Sequence, residues 1–280
     1  MPYLLLATSI ALAVINNALY HKLSDEKESY NQFLFTAVSS LVWLIILLPN
    51  KNIVNINKAE VLFGVIYGVA QAMFLFFKMK AMSNGPVSIT SVVSNCSMLL
   101  TVILGVFLFD ERVSVMQMLG LCMIILSVFF CVDPKSGLEM TLKWKIYCVI
   151  FFIFAASVGI IFKFFAASAG NGNNMMLIAA VTMIMILIVL SKLSRREFKL
   201  SKKQMIIAIL SGVVSCGYNR INVFLTGTLP SVVFFPIFNG SIVLLATIVG
   251  WMFFKERLSL KQITGVGTGI ISIVLLSGVF

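Results

Sequence analysis

The sequence predicts an all-α integral membrane protein: ten transmembrane helices built as two inverted five-helix repeats. Three observations carry this. The 280 residues are 60% hydrophobic and 11% charged, with a mean hydropathy of +1.05. A soluble domain of this size cannot hide so much apolar surface, so part of its solvent is lipid. The apolar residues fall into ten runs, most of them near the roughly 20 residues that a membrane span requires. Finally, Leu99–Ser127 occurs twice. Shifted by 145 residues it lies without a gap on Leu244–Ser272, with twelve of 29 pairs identical, among them Gly105/Gly250, Glu111/Glu256, Arg112/Arg257, Ser114/Ser259, Gln117/Gln262, Gly120/Gly265 and Ser127/Ser272. A repeat of this length marks two related halves.

The ten runs are Tyr3–Tyr20, Phe33–Leu48, Val61–Met82, Val87–Phe109, Val113–Val132, Trp144–Ala166, Met175–Leu190, Met205–Leu225, Ser231–Phe254 and Leu258–Val279. Each is expected to be a helix, because a span in lipid must satisfy its own backbone. Span 4 maps onto span 9 and span 5 onto span 10. The offset of five spans is odd, so the halves cross the membrane in opposite directions. The expected division is residues 1–134, a linker at 135–143, and 144–280, within one membrane domain.

The first run has no basic leader and no small-residue cleavage site, so it is expected to stay as a helix. It carries Asn16, Asn17 and Tyr20, with Asn16 and Tyr20 on one face. Amides in hydrocarbon must face protein or water, and either helix–helix bonding or solute contact would satisfy them. His21 is the sole histidine, which is no metal signature. Span 3 holds Gln71 and ends with Lys78 and Lys80, whose long side chains can snorkel to the interface. Span 4 opens after Gly85-Pro86 and carries Ser88, Ser91 and Asn95. The five cysteines have no paired or metal-like spacing and read as small apolar fillers. Lys192–Lys203 holds six basic residues and one acid, the pattern of a cytoplasmic loop at anionic headgroups. Nucleic acid is not expected as a partner of the net charge of +11, since no soluble basic module is present.

Span 8 is the most polar, with Ser215, Tyr218, Asn219, Arg220 and Asn222. An ionisable group at that depth is a functional candidate, with snorkelling as the alternative. Span 9 contains Pro236, with Asn239 and Gly240 just beyond, and a helix break is expected at Pro236–Gly240. All ten carboxylates (Asp25, Glu26, Glu28, Glu60, Asp110, Glu111, Asp133, Glu139, Glu197, Glu256) fall in loops or at span ends. None sits mid-span to take a proton or to balance a cationic drug.

The ten spans, the five-plus-five repeat and the Phe-x-Glu-Arg-x-Ser…Gln-x-x-Gly turn at Phe109–Gly120 and Phe254–Gly265 resemble the EamA-type transporters of the drug/metabolite transporter superfamily. The resemblance implies export or exchange of amino acids, nucleotide sugars, other metabolites or drugs. It also implies a structural role for the Glu-Arg turns. One departure is that the proline common in spans 4 and 9 of such members is replaced here by Met98 and Val243. The resemblance implies cytoplasmic termini. The charge count disagrees: loops after spans 1, 3, 5, 7 and 9 hold about 16 Lys and Arg against about three on the other side, which places the termini outside.

The expected function is therefore transport of a small metabolite, an amino acid or related anionic or zwitterionic solute, by alternating access at the plasma membrane. The alternative is a multidrug exporter of the same superfamily. The candidate lining residues are Asn16, Tyr20, Gln71, Asn95, Tyr218, Asn219, Arg220 and Asn239. No catalytic residue, metal or cofactor is expected, because one histidine and no mid-span acid make no catalytic cluster. A membrane-embedded enzyme is the third reading, which that lack of a cluster disfavours, and a non-transporting subunit or scaffold is a further one that fold alone leaves open. The substrate's identity, the coupling ion and the oligomeric state are not encoded in any motif.

Overall fold

The structure, a computed structural model, describes residues 1–24, 31–49, 56–85, 87–131, 141–168, 170–193, 198–254 and 259–277. Among them it is all-helical: α1 (Pro2–Ser24), α2 (Gln32–Leu47), α3 (Lys58–Asn84), α4 (Val87–Phe109), α5 (Val115–Cys131), α6 (Leu142–Ala167), α7 (Gly172–Leu193), α8 (Lys202–Thr228), α9 (Ser231–Phe254) and α10 (Leu260–Leu276). Six of these are long and apolar enough to cross a membrane; α2, α5, α10 and the described apolar part of α4 are shorter apolar helices. Most of the expected linker, the second Glu-Arg turn and the acids of the first loop lie outside the described residues.

Capping explains why several helices start away from the edge of their apolar run. Asn57 and Glu60 form a reciprocal box at the start of α3: the Glu60 N–H donates to Asn57 Oδ1 at 2.8 Å, and the Asn57 N–H donates to Glu60 Oε2 at 3.1 Å. Ser201 and Gln204 do the same for α8, at 2.9 and 3.3 Å. These boxes carry both helices three residues beyond the apolar run, through a polar first turn that hydropathy overlooks. The repeated Ser-x-x-Gln is the same device. Ser114 and Gln117 cap α5, and Ser259 and Gln262 cap α10. Each serine stands just outside its helix, so α5 and α10 begin two residues later than their apolar runs.

The chain folds into two compact units, each drawing on both sequence halves. One holds Tyr3–Phe76 and Ile161–Gly227, the other Phe77–Ile160 and Thr228–Phe280. In the first unit α2 packs on α7, and the Asn31 side-chain amide, before α2, donates to Ser191 Oγ near the end of α7 at 2.8 Å. Glycines let α3 approach α7: a Cβ on Gly64 would stand 2.7 Å from the Met175 carbonyl, and one on Gly68 would stand 2.9 Å from that of Ala179.

In the second unit α5 packs on α10 and α4 on α9. Ser127 Oγ donates to the Gly265 carbonyl at 2.6 Å, and Ser272 Oγ donates to the Gly120 carbonyl at 2.8 Å. These bonds are images of one another under the repeat, and they make α5 and α10 antiparallel. Four identical pairs of the repeat thus have a structural reason: two cap helices and two build this seam.

The expected break in α9 is not present. The helix runs from Ser231 to Phe254 with Pro236 inside it. Proline at the sixth helical residue takes the donor from one carbonyl, that of Val232, which a continuous helix tolerates. Gly240 serves packing instead, because a Cβ there would collide with the Ile124 side chain.

Candidate functional site

The polar residues of α8 divide between two faces. At about 100° per residue, Ser211, Ser215, Tyr218, Asn219 and Asn222 fall on one side, and they face protein. Asn222 Oδ1 accepts from Ser9 Oγ at 2.5 Å. Asn16 Oδ1 accepts from Ser211 Oγ at 2.7 Å. Trp43 Nε1 donates to Ser215 Oγ at 2.8 Å, and the Asn219 amide donates to the Ser215 carbonyl at 2.9 Å. Tyr67, fully buried on α3, donates to Asn219 Oδ1 at 3.4 Å. Tyr20 reaches the same region, with its hydroxyl facing Ser211 and Thr36 and its ring 5.2 Å from Phe35. Gly212 permits this closeness, since a Cβ would stand 2.7 Å from the Ser39 carbonyl.

This network joins α1, α2 and α3 to α8 with uncharged donors and acceptors matched to one another. Hydrogen bonds of this kind hold spans together where hydrophobic burial offers no preference for protein over lipid. Of the two roles open to Asn16, Asn219 and Asn222, their contacts are those of helix-to-helix bonding. Ser9, Trp43 and Tyr67 belong to the network and stand out in the sequence by no motif. Ser9 and Asn16 lie seven residues apart on α1, which is the one periodic signal that pointed to them.

Arg220 faces the other way. It is exposed, about 160° round the helix from Asn222, on an arc with the exposed Ile206, Ile209, Leu210, Val213 and Phe224. No hydrogen bond or ion pair joins it to another described residue. Tyr218, Asn219 and Asn222, one or two positions away along the helix, point away from the guanidinium. Gln71 is half-buried in the same unit.

In the second unit Asn95 and Asn239 are half-buried. The Asn239 amide is turned back onto its own helix, donating to the Phe235 carbonyl at 2.9 Å. The side chains of Ser88 and Ser91 lie outside the described residues.

Two carboxylates are used at helix starts. Glu60, only 3% exposed, accepts from the Asn171 N–H at 2.7 Å and the Asn174 side-chain amide at 2.9 Å, tying the start of α3 to that of α7. Glu111 accepts from the Ser231 N–H at 2.7 Å and from Ser231 Oγ at 3.2 Å, at the first residue of α9. Free N–H groups and the positive end of the helix dipole favour an anion there. The sequence placed Glu111 at the turn between adjacent spans; its partner is 120 residues further along the chain.

Comparison with known proteins adds three findings. Residues 2–132 match the model of the EamA-like transporter family. No curated protein matches the chain. A solved structure described only as the crystal structure of a protein superposes with a TM-score of 0.81 over 99% of each chain at 11% identity, a likeness of fold alone.

Proposed function

We propose that this multi-pass helical chain, whose residues 2–132 match the model of the EamA-like transporter family, is a membrane transporter of the drug/metabolite type that carries a small anionic or zwitterionic solute, such as an amino acid, across the plasma membrane. The observation that carries this is Arg220: a guanidinium within a span, exposed, and without a hydrogen-bonding or ion-pairing partner among the described residues. A charge at the centre of a span costs about 2.5 kcal/mol or more on insertion scales, so a charge kept within a span is a functional candidate. A guanidinium suits a carboxylate or phosphate, which it grips through two parallel N–H groups.

The absence of a mid-span acid agrees with this reading. Glu60 and Glu111 are engaged at helix starts, and neither supplies a counter-charge for a cationic drug. Antiparallel packing of α5 on its repeat counterpart α10 supports inverted halves, the architecture in which two repeats rock about a central site.

The test is uptake into proteoliposomes of labelled pools sorted by charge: amino acids, organic anions and cationic dyes. Uptake of the anionic or zwitterionic pool supports the proposal. Uptake confined to the cationic dyes replaces it with the exporter reading.

A further inference from the structure

Glu111, Gly105 and Ser231 form one device. The Glu111 carboxylate, just after α4, holds both the amide and the hydroxyl of Ser231 at the start of α9. Gly105 on α4 makes the room, because a Cβ there would stand 2.5 Å from Ser231 Oγ and 3.4 Å from Glu111 Oε2. Asp110, with φ of 50°, turns the chain between the end of α4 and Glu111. Aspartate is among the few residues that enter this left-handed region readily.

The repeat makes the device informative. Glycine and glutamate recur as Gly250 and Glu256, but the shift of 145 residues brings Ser231 onto Pro86. Pro86 and Glu256 lie outside the described residues, but proline has no N–H and no hydroxyl, so the residue that corresponds to Ser231 cannot offer either of its two donors.

We propose that Glu111 and Ser231 form a one-sided clamp that pins the last turn of α4 to the first turn of α9 and thereby favours one of the two access states of the transporter. Helices pinned at one end separate more readily at the other. A matched pair of clamps would leave the two ends balanced, and a single one does not. Glu111 is thus a positioning residue, and solute binding does not require it. The inference rests on the alternating-access reading above.

The test uses the full chain in detergent with single cysteines introduced at Thr228 or Ser83, which the repeat shift places in correspondence at opposite ends of the α4–α9 pair; both are exposed. Maleimide labelling is compared with the parent chain. Clamp release is achieved by Glu111→Gln and, separately, by Ser231→Pro. Proline is favoured at the first position of a helix, so the second variant keeps the fold while installing the chemistry of the other copy.

Each release is expected to raise labelling at Thr228→Cys at least fivefold and to lower it at Ser83→Cys. The double variant should go no further than either single one, and Ser231→Ala, which keeps the 2.7 Å amide bond, should change labelling less than twofold. Local fraying would raise labelling at Thr228→Cys alone. That result, or labelling unchanged at both sites in variants with unaltered melting temperatures, overturns the clamp. Labelling needs no transported solute, so the clamp is decided even if every uptake assay is blank.

Discussion

Gly265 and Gly267 lie two residues apart on α10 and are expected to respond oppositely to the same substitution. Replacing glycine by alanine inside a helix gains about 1 kcal/mol of propensity. At Gly267 nothing stands within 4 Å of the added Cβ, so the full gain should appear. At Gly265 the Cβ would meet Cys131 Sγ and Phe130 Cβ, each at 2.9 Å, and the Cys131 backbone nitrogen at 3.0 Å. Backbone cannot step aside as a flexible side chain can. Overpacking of this kind costs about 1–3 kcal/mol, and it also pushes against the Ser127 bond to the Gly265 carbonyl. Gly265→Ala should therefore lie about 2 kcal/mol below Gly267→Ala, a melting-temperature gap of about 4–8 °C for a large domain. Thermal unfolding of the purified chain in one detergent measures it. Equal shifts of the same sign would refute the close α5–α10 seam. Gly120→Ala, whose Cβ would stand 2.9 Å from Leu276 Cγ, should behave like Gly265→Ala.

Asn16→Ala removes the acceptor of the buried Ser211 hydroxyl and should destabilise by about 1–3 kcal/mol. Its exposed neighbour Asn17 should tolerate alanine within about 0.5 kcal/mol; thermal melts of the two variants separate the cases. The basic stretch before α8 is expected to be cytoplasmic. A cysteine at the exposed Lys199, which spares the Ser201 cap, should resist a membrane-impermeant thiol reagent in intact cells. Rapid labelling there would reverse the orientation.

Helix identity was legible because lipid enforces it: an apolar run of span length has few alternatives to a helix. Ser231–Phe254 and Val87–Phe109 are recovered to the residue. The differences at α3, α5, α8 and α10 come from capping residues, whose polar side chains mask the first turn or mark its true start. Pro236 is compatible with a continuous α9 because the helix loses only one hydrogen bond to it. The site was less legible. Tyr218, Asn219, Arg220 and Asn222 are close in sequence, but neighbours on a helix face different ways. The apolar positions 206, 209, 210, 213 and 224 already marked the face Arg220 shares, and helical spacing could have separated it from Asn222. Contacts such as Ser9 with Asn222, or Glu111 with Ser231, join distant segments, and no local pattern announces them.

The most direct test of the central claim is the half-saturating concentration for uptake of the transported pool in proteoliposomes carrying the unaltered chain, Arg220→Lys or Arg220→Gln. If Arg220 holds the negative group of the solute, losing a charge-assisted bidentate contact worth about 1.5–3 kcal/mol raises that concentration about tenfold or more in Arg220→Gln. Arg220→Lys should lie between, since lysine keeps the charge without the fork. Normal uptake by both variants, correctly folded and inserted, would contradict the account and leave Arg220 as a side chain that serves the lipid interface.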